Sequence, residues 1–361
     1  MVDHQVRYVE RRRAMSSPIE LRVVDVVAET VDAKSFVLEP PEPTSYSSGQ
    51  FLTIAVPSEE QGFVARCYSL ASAPHEGGLL TVTVKRTPGG YASNWLCDNV
   101  RVGQALKSLP PSGVFTAASV DDDLLLFAGG SGITPVISLA KETLARGSGS
   151  VALFYANRSA DSVIFGSTLA KLAAEYPDRL TITNWFEDSQ GLPTAAGIRA
   201  FAEQFTDRHA MMCGPAPFMQ AVSDVLKSLD FPRERRRQEK FVSLSGNPFE
   251  ISAEVVDAAD LGAAAPEGAG CTRVSGEIDG AAFEFDDWRP GVLLLDFLLE
   301  KGIPAPFSCR LGDCSACACR VIEGDVEMVT NEVLEPEDIE EGIRLVCQSL
   351  PVTEHLKISF S

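Results

Sequence analysis

The chain is short of positive charge: 31 Lys and Arg stand against 50 Asp and Glu, a net charge of −19. That balance argues against nucleic acid and anionic membranes as partners, because both call for cationic faces. Histidine is scarcer still. His4, His75, His209 and His355 are scattered, so they suggest no site built from two histidines and one carboxylate. No apolar run approaches the ~20 residues needed to span a bilayer. Arg7, Arg11, Arg12 and Arg13 near the start are followed by no apolar segment, so this stretch does not read as an export signal. Internal repeats are absent.

What remains is 361 residues, enough for two or three domains, with 45% hydrophobic content and nine cysteines. Without an export signal, that much cysteine points to a cytoplasmic, reducing setting and to metal or redox use. Residues 1–18 read as a frayed arm, with Met15 as an alternative start.

Four cysteines carry most of the information. Cys309, Cys314 and Cys317 read C-x4-C-x2-C, and Cys347 follows after 29 intervening residues. This is the plant-type spacing of a [2Fe–2S] cluster held by four thiolates. Gly312, Ser315 and Ala316 are small, so backbone N–H groups can approach the sulfurs. Zinc prefers two short cysteine knuckles, and only one is present. Cys319 falls outside the ligand spacing, and Cys271 has no partner spacing.

Three domains are expected ahead of and around that cluster. Residues 19–118 hold short β-type runs at 20–27, 35–38, 50–56, 66–71 and 79–85, which suggests a small antiparallel barrel. Residues 119–240 alternate strands (124–128, 151–155, 180–185, 211–213) with helical stretches, the pattern of an α/β parallel sheet. Residues 241–270 form a connecting segment rich in Ala, Gly, Asp and Glu towards its end. Residues 271–361 begin with strands at 272–278 and 281–285 around an Asp279-Gly280 turn. A helix over 292–300 follows, stopped near Gly302. This last quarter has 18 acidic residues against 7 basic ones, either a solvated surface or a docking face for a basic partner.

The barrel segment contains Arg66-Cys67-Tyr68-Ser69-Leu70. On a strand Arg66 and Tyr68 share a face, offering a phosphate fork and an aromatic plane to a flavin, with Ser69 near the ring N5. Gly90 and Ser93, opening a helical stretch, suit its pyrophosphate. In the second segment Gly129-Gly130-Ser131-Gly132-Ile133-Thr134-Pro135 follows a strand. Here Thr134 is expected as N-cap and Pro135 as first helical residue, with a nucleotide phosphate on the helix N-terminus. It is not the G-x-G-x-x-G fingerprint. Cys213-Gly214-Pro215 also ends a strand, and a cysteine there is expected beside a nicotinamide, where it need not be a nucleophile to help align the ring. Arg158 closes the second strand, where the ribose is read, and offers a fork for a 2′-phosphate. Asp161 argues the other way, so NADH and NADPH both stay open.

These motifs, in this order, resemble the ferredoxin–NADP reductase superfamily over nearly the whole chain. More narrowly they look like oxygenase reductase components with a C-terminal plant-type ferredoxin domain, those of 3-ketosteroid 9α-hydroxylases in particular. The resemblance implies a flavin barrel, a nucleotide-binding α/β domain and an α+β (β-grasp) ferredoxin domain. It implies FAD held by Arg66, Tyr68, Ser69, Leu70, Lys85, Gly90 and Ser93, with Glu239 and Phe241 in the segment that closes over it. It implies NADH held by Gly129, Gly130, Gly132, Thr134, Arg158, Cys213, Gly214 and Pro215, with Ser69 and Cys213 at the reacting atoms. Leu311, Asp313 and Ser315 stand where many relatives have an acid, a histidine and a glycine. NADH gives two electrons at once and the cluster accepts one, so a flavin belongs between them. The implied partner is a separate terminal oxygenase, of Rieske type for the steroid enzymes. A phenylacetyl-CoA epoxygenase or aromatic-ring oxygenase partner, an FMN enzyme of the phthalate dioxygenase reductase kind, and a redox sensor remain as alternatives.

Overall fold

The computed structural model describes residues 18–60, 62–249, 270–278 and 280–360. The expected N-terminal arm, save Pro18, and residues 250–269 of the expected connecting segment lie outside them.

The first body is built from β1 (Ile19–Thr30), β2 (Ala33–Glu39), β3 (Phe51–Ser58), β4 (Gly62–Ser69), β5 (Leu80–Lys85) and β6 (Ala105–Ser108), with helix α1 (Tyr91–Asn99) between the last two. The sheet order is β4-β3-β6-β1-β2-β5, with antiparallel neighbours. A bridge from Leu70 to Val82 joins the two edge strands and closes the barrel. Alternate residues such as Leu21, Val23, Leu52, Ile54, Val82 and Val84 fill it, and Ala92 and Leu96 of α1 plug one end.

The second body holds β7 (Leu124–Gly129), α2 (Ile133–Arg146), β8 (Val151–Asn157), α3 (Gly166–Glu175), β9 (Leu180–Phe186), α4 (Ala195–Ala202), β10 (His209–Cys213), α5 (Ala216–Ser228) and β11 (Arg236–Glu239). Its sheet is parallel, in the order β11-β10-β7-β8-β9. β7 and β8 are buried along their whole length, as central parallel strands should be. Strand alternation sorts their side chains onto two faces. Leu124, Leu126 and Ala128 meet Val136 and Ile137 of α2, while Leu125 and Phe127 meet Ile198 of α4 and Val222 of α5.

The third body places α6 (Leu294–Glu300) against a mixed sheet, β13-β12-β18-β14-β16, made of β12 (Thr272–Ile278), β13 (Ala281–Trp288), β14 (Ala318–Glu323), β16 (Ile343–Leu345) and β18 (His355–Ser359). β12 and β18 are parallel and the other neighbours antiparallel. A small side sheet pairs β15 (Val326–Met328) with β17 (Ser349–Pro351). The helix starts at Leu294, not at 292, because the chain is still turning at Gly291, where φ is +81°. Gly302 follows its C-cap with φ +93°, the stop that the sequence signalled. No helix among the described residues is long and apolar enough to cross a membrane, and none of their nine cysteines is joined in a disulfide.

Candidate functional site

The four spaced cysteines come together. Three lie on the loop between α6 and β14, and Cys347 arrives from the turn between β16 and β17; all four are buried. They meet as two pairs, Cys309 with Cys314 and Cys317 with Cys347. No three His, Cys, Asp or Glu side chains among the described residues converge as a single-ion site requires. A bridged two-iron core asks instead for two pairs of thiolates, and two pairs are present, so the donor set fits the cluster. The Cys314 hydrogen bond lowers the Cys309 pKa, and the N–H groups of Leu311 and Asp313 lower it further against the upward push of burial. Leu311 N–H lies 3.3 Å from the Cys309 sulfur. Two non-glycine residues of this loop, Arg310 and Ser315, have φ of +59° and +52°. An L-residue resists that region, so the loop holds both at a conformational cost. The loop is held in place by Arg310 on Asp296 of α6 at 2.6 Å and by Gln348 Nε2 on the Arg310 carbonyl at 3.0 Å. Cys319 is buried in the same domain core as Cys317 and Cys347, its thiol pushed up to about 12 by burial.

β4 divides two environments. Tyr68 packs with the barrel core on one side. Arg66 donates to the Ala65 carbonyl and meets no carboxylate among the described residues. Gly90 is the N-cap of α1 with no side-chain cap of its own. Ser93 Oγ accepts from Thr87 N–H at 3.1 Å and Asn94 bonds the carbonyls of Thr87 and Gly90, so the turn is built before any ligand arrives. A helix start with no side-chain cap and an arginine that meets no carboxylate among the described residues fit a pyrophosphate. On the other side of β4, Ala65 and Cys67 pack with Phe51 against Cys309, Cys314 and Ala316 of the cluster loop. Cys67 and Ser69 line a cleft with Phe51, Glu239, Lys240, Phe241, Asp313 and Cys314. Leu70 is buried in the barrel.

The barrel and the cluster loop are joined by hydrogen bonds. Thr53 Oγ1 lies 3.4 Å from Cys67 Sγ and 2.9 Å from Ser308 Oγ, beside the first ligand. Ser245 donates to Asp313 Oδ2 through both its N–H and its hydroxyl, at 2.7 and 2.8 Å. Lys227 pairs with Glu337, Arg233 with Asp338, and Lys240 with Glu335. Part of the acidity of the last domain is therefore met within the chain.

In the nucleotide domain the helix start differs from expectation. A 3-10 turn, Gly130–Gly132, precedes α2. Gly132 is the N-cap and Ile133 the first helical residue, so Thr134 and Pro135 sit two positions deeper than expected. Thr134 Oγ1 donates back to the Ser131 carbonyl at 3.1 Å. The reason is close packing between the two motif turns. A Cβ on Gly132 would stand 2.1 Å from the Cys213 carbonyl oxygen, and one on Gly214 would stand 3.0 Å from Gly129 Cα. These two glycines are needed for chain-to-chain contact. At Gly130, where φ is +53°, a Cβ would meet only Lys85 Nζ, at 3.8 Å. Lys85, which the resemblance implies at the flavin, thus stands beside the nucleotide loop as well.

Cys213 ends β10 and pairs in register with Glu239 of β11. Both are buried. Burial pushes the Glu239 carboxyl up to about 8, and burial with that neighbour raises the Cys213 thiol well above its ordinary value. The carboxyl is therefore mostly protonated at neutral pH, and the thiol is no nucleophile. Arg158 follows β8 as expected but is not free. Its guanidinium donates to Asp32 of the β1–β2 turn at 2.7 Å. Desolvation pushes the Asp32 carboxyl up, but the Thr30 hydrogen bond, Lys85 and Arg158 outweigh it and hold the carboxyl below the usual range. Asp32 could not be read from sequence, because its partner is 126 positions away.

Three family models match in the same order: an oxidoreductase FAD-binding domain over residues 20–116, an oxidoreductase NAD-binding domain over 126–224 and a 2Fe-2S iron-sulfur cluster binding domain over 277–352. The 3-ketosteroid-9-alpha-monooxygenase ferredoxin reductase component of Rhodococcus rhodochrous is 49% identical, across 96% of this chain and 97% of that protein. Its counterpart in Mycolicibacterium smegmatis is 48% identical, across 96% and 98%. Among solved structures, phthalate dioxygenase reductase superposes with a TM-score of 0.57 at 23% identity, across 95% of this chain and 98% of that one, and so shares the fold.

Proposed function

The chain belongs to the family of ferredoxin reductase components of 3-ketosteroid-9-alpha-monooxygenase, and from that premise we propose that it draws electrons from NADH and delivers them to a separate oxygenase that acts on a 3-ketosteroid. In this reading the oxygenase is of Rieske type and the setting is cytoplasmic. Residues 19–118, 119–240 and 271–361 serve as the flavin, nucleotide and cluster domains. FAD, when bound, converts a two-electron donor into the one-electron steps that an iron–sulfur cluster accepts.

The observation that carries the reading is the position of β4. The motif strand packs one side into the barrel and lays Ala65 and Cys67 of the other against the cluster loop. The flavin motif and the cluster loop therefore meet at this one strand, with the Thr53–Ser308 hydrogen bond tying the barrel to the loop. Arg66 and the start of α1 would hold the flavin pyrophosphate. Gly130 and Lys85 would meet that of the nicotinamide nucleotide. Ser69 lies on the cleft where the reacting ring is expected, and Glu239, kept largely protonated, offers that cleft a proton donor. Cys213 supplies a packed, uncharged surface. Phe241, half exposed at the cleft, is the aromatic cover. Adding and withholding candidate oxygenases in an NADH-driven turnover assay tests the reading. Steroid hydroxylation with a steroid oxygenase is expected, and coupling only to an aromatic-ring or phenylacetyl-CoA enzyme would contradict it.

A further inference from the structure

The choice between NADH and NADPH rests on a contact between domains. Asp32 belongs to the flavin barrel, in the turn between β1 and β2. Its Oδ2 accepts from Arg158 Nη2 at 2.7 Å and lies 3.9 Å from Lys85 Nζ, while Oδ1 accepts from Thr30 Oγ1 at 2.8 Å. Lys85 Nζ in turn stands 3.8 Å from where a Cβ on Gly130 would be. Glycine loop, Lys85, Asp32 and Arg158 therefore form a row along the carboxyl edge of β7 and β8. In open parallel sheets the pyrophosphate lies at the first of these strand ends and the adenosine ribose is read at the second. Arg158 immediately follows β8 with its side chain 67% exposed, so a ligand can reach it, whereas Asp32 is 24% exposed. Beside it, the buried Asn157 amide has no well-formed hydrogen-bond partner, only an interaction with the Tyr155 phenol.

We propose that Asp32 makes this chain selective for NADH by occupying Arg158 and placing a carboxylate where the 2′-phosphate of NADPH would have to sit. The inference rests on the nucleotide reading above. A phosphate monoester carries about −1.5 to −2 charge, and a planar guanidinium would bind it through paired hydrogen bonds. Here one arm of that fork is already bonded to a carboxylate, which can itself accept from a 2′-hydroxyl. Arg158 alone would favour NADPH; paired with Asp32 it does not.

The test uses the full-length flavin- and cluster-loaded protein, as wild type and as D32N, D32S and D32N/R158A. Ferricyanide reduction gives kcat/KM for NADH and for NADPH, and calorimetry gives the affinities of ADP and 2′,5′-ADP. Wild type should prefer NADH. D32N and D32S should raise the NADPH-to-NADH ratio about tenfold, the scale of one charge pair, and tighten 2′,5′-ADP relative to ADP to a similar degree. Adding R158A should remove both gains. An unmoved ratio in D32N and D32S overturns the proposal, as does a gain that survives R158A. Failure of wild type to oxidise either nucleotide would instead overturn the nucleotide reading, and this proposal with it.

Discussion

Replacing Gly132 by alanine should damage the nucleotide domain more than replacing Gly130, although only Gly130 has a left-handed backbone. A Cβ at 132 would stand 2.1 Å from the Cys213 carbonyl oxygen, 2.4 Å from its carbon and 2.7 Å from Gly214 N. Ordinary carbon contacts are about 3.5 Å, so the two turns must part by roughly 1 Å or more. Neither can do so cheaply, because α2 and β10 are both packed into buried cores. Overpacking costs about 1–3 kcal/mol, and a clash with backbone belongs at or above the top of that range. At about 2–4 °C per kcal/mol for a body of this size, melting should fall by roughly 10 °C. At Gly130 a Cβ would meet only Lys85 Nζ, at an ordinary 3.8 Å, leaving chiefly the left-handed penalty of about 1–2 kcal/mol. The same displacement in Gly132→Ala shifts Cys213 against the glycine loop, and a misplacement of about 1 Å can slow a positioned reaction by about 100-fold. Calorimetry and stopped-flow flavin reduction by NADH measure both effects. A Gly132→Ala protein that melts with wild type and reduces flavin at full rate would refute the reasoning, as would Gly130→Ala proving the worse.

Other outcomes follow from the same structure. The Glu239 carboxyl is raised to about 8 from 4.5, so the folded state holds this proton more tightly than the unfolded chain. The stability it lends is full below about 4.5 and is lost as pH climbs to about 8, by no more than about 5 kcal/mol. Melting curves of Glu239→Gln should lack that slope, and equal slopes in both proteins would remove the assignment. Ser315→Gly relieves a φ of +52° in the cluster loop. It should stabilise by roughly 1 kcal/mol, seen as slower cluster loss in chelator. A double-mutant cycle on Arg233 and Asp338, whose side chains are 27% and 14% exposed, should show a coupling near 1 kcal/mol that shrinks with salt. No coupling would mean that the ferredoxin domain is not docked by these charges. Cys347→Ser should abolish the reduced-cluster EPR signal and Cys319→Ala should keep it, the reverse pattern being fatal to the ligand set.

The elements with local signals were legible in the sequence. β7 and β8 are continuous apolar runs and could be read directly, and the cysteine spacing located the cluster loop because ligation fixes spacing. The strands after that loop carry no such signal. β15, β16 and β17 are three residues each, and β18 finds its parallel partner β12 some 80 residues earlier, so only the assembled fold defines them. The α2 start was misplaced because Thr134-Pro135 is a good local cap signal, yet the approach of Cys213 to Gly132 sets the turn. Arg158 stood out as a cation at a strand end, but its meaning depends on Asp32, which belongs to another domain. Thr53 and Ser308 likewise look like ordinary strand and loop residues until the fold brings them to 2.9 Å.

The central claim is that one chain carries electrons from a nicotinamide through a flavin to the cluster. Its most direct test is an anaerobic NADH titration followed by flavin absorbance and low-temperature EPR. The account predicts that the flavin band bleaches and that a reduced [2Fe–2S] signal grows with it in the same molecules. A flavin that bleaches fully while the cluster stays oxidised would contradict it.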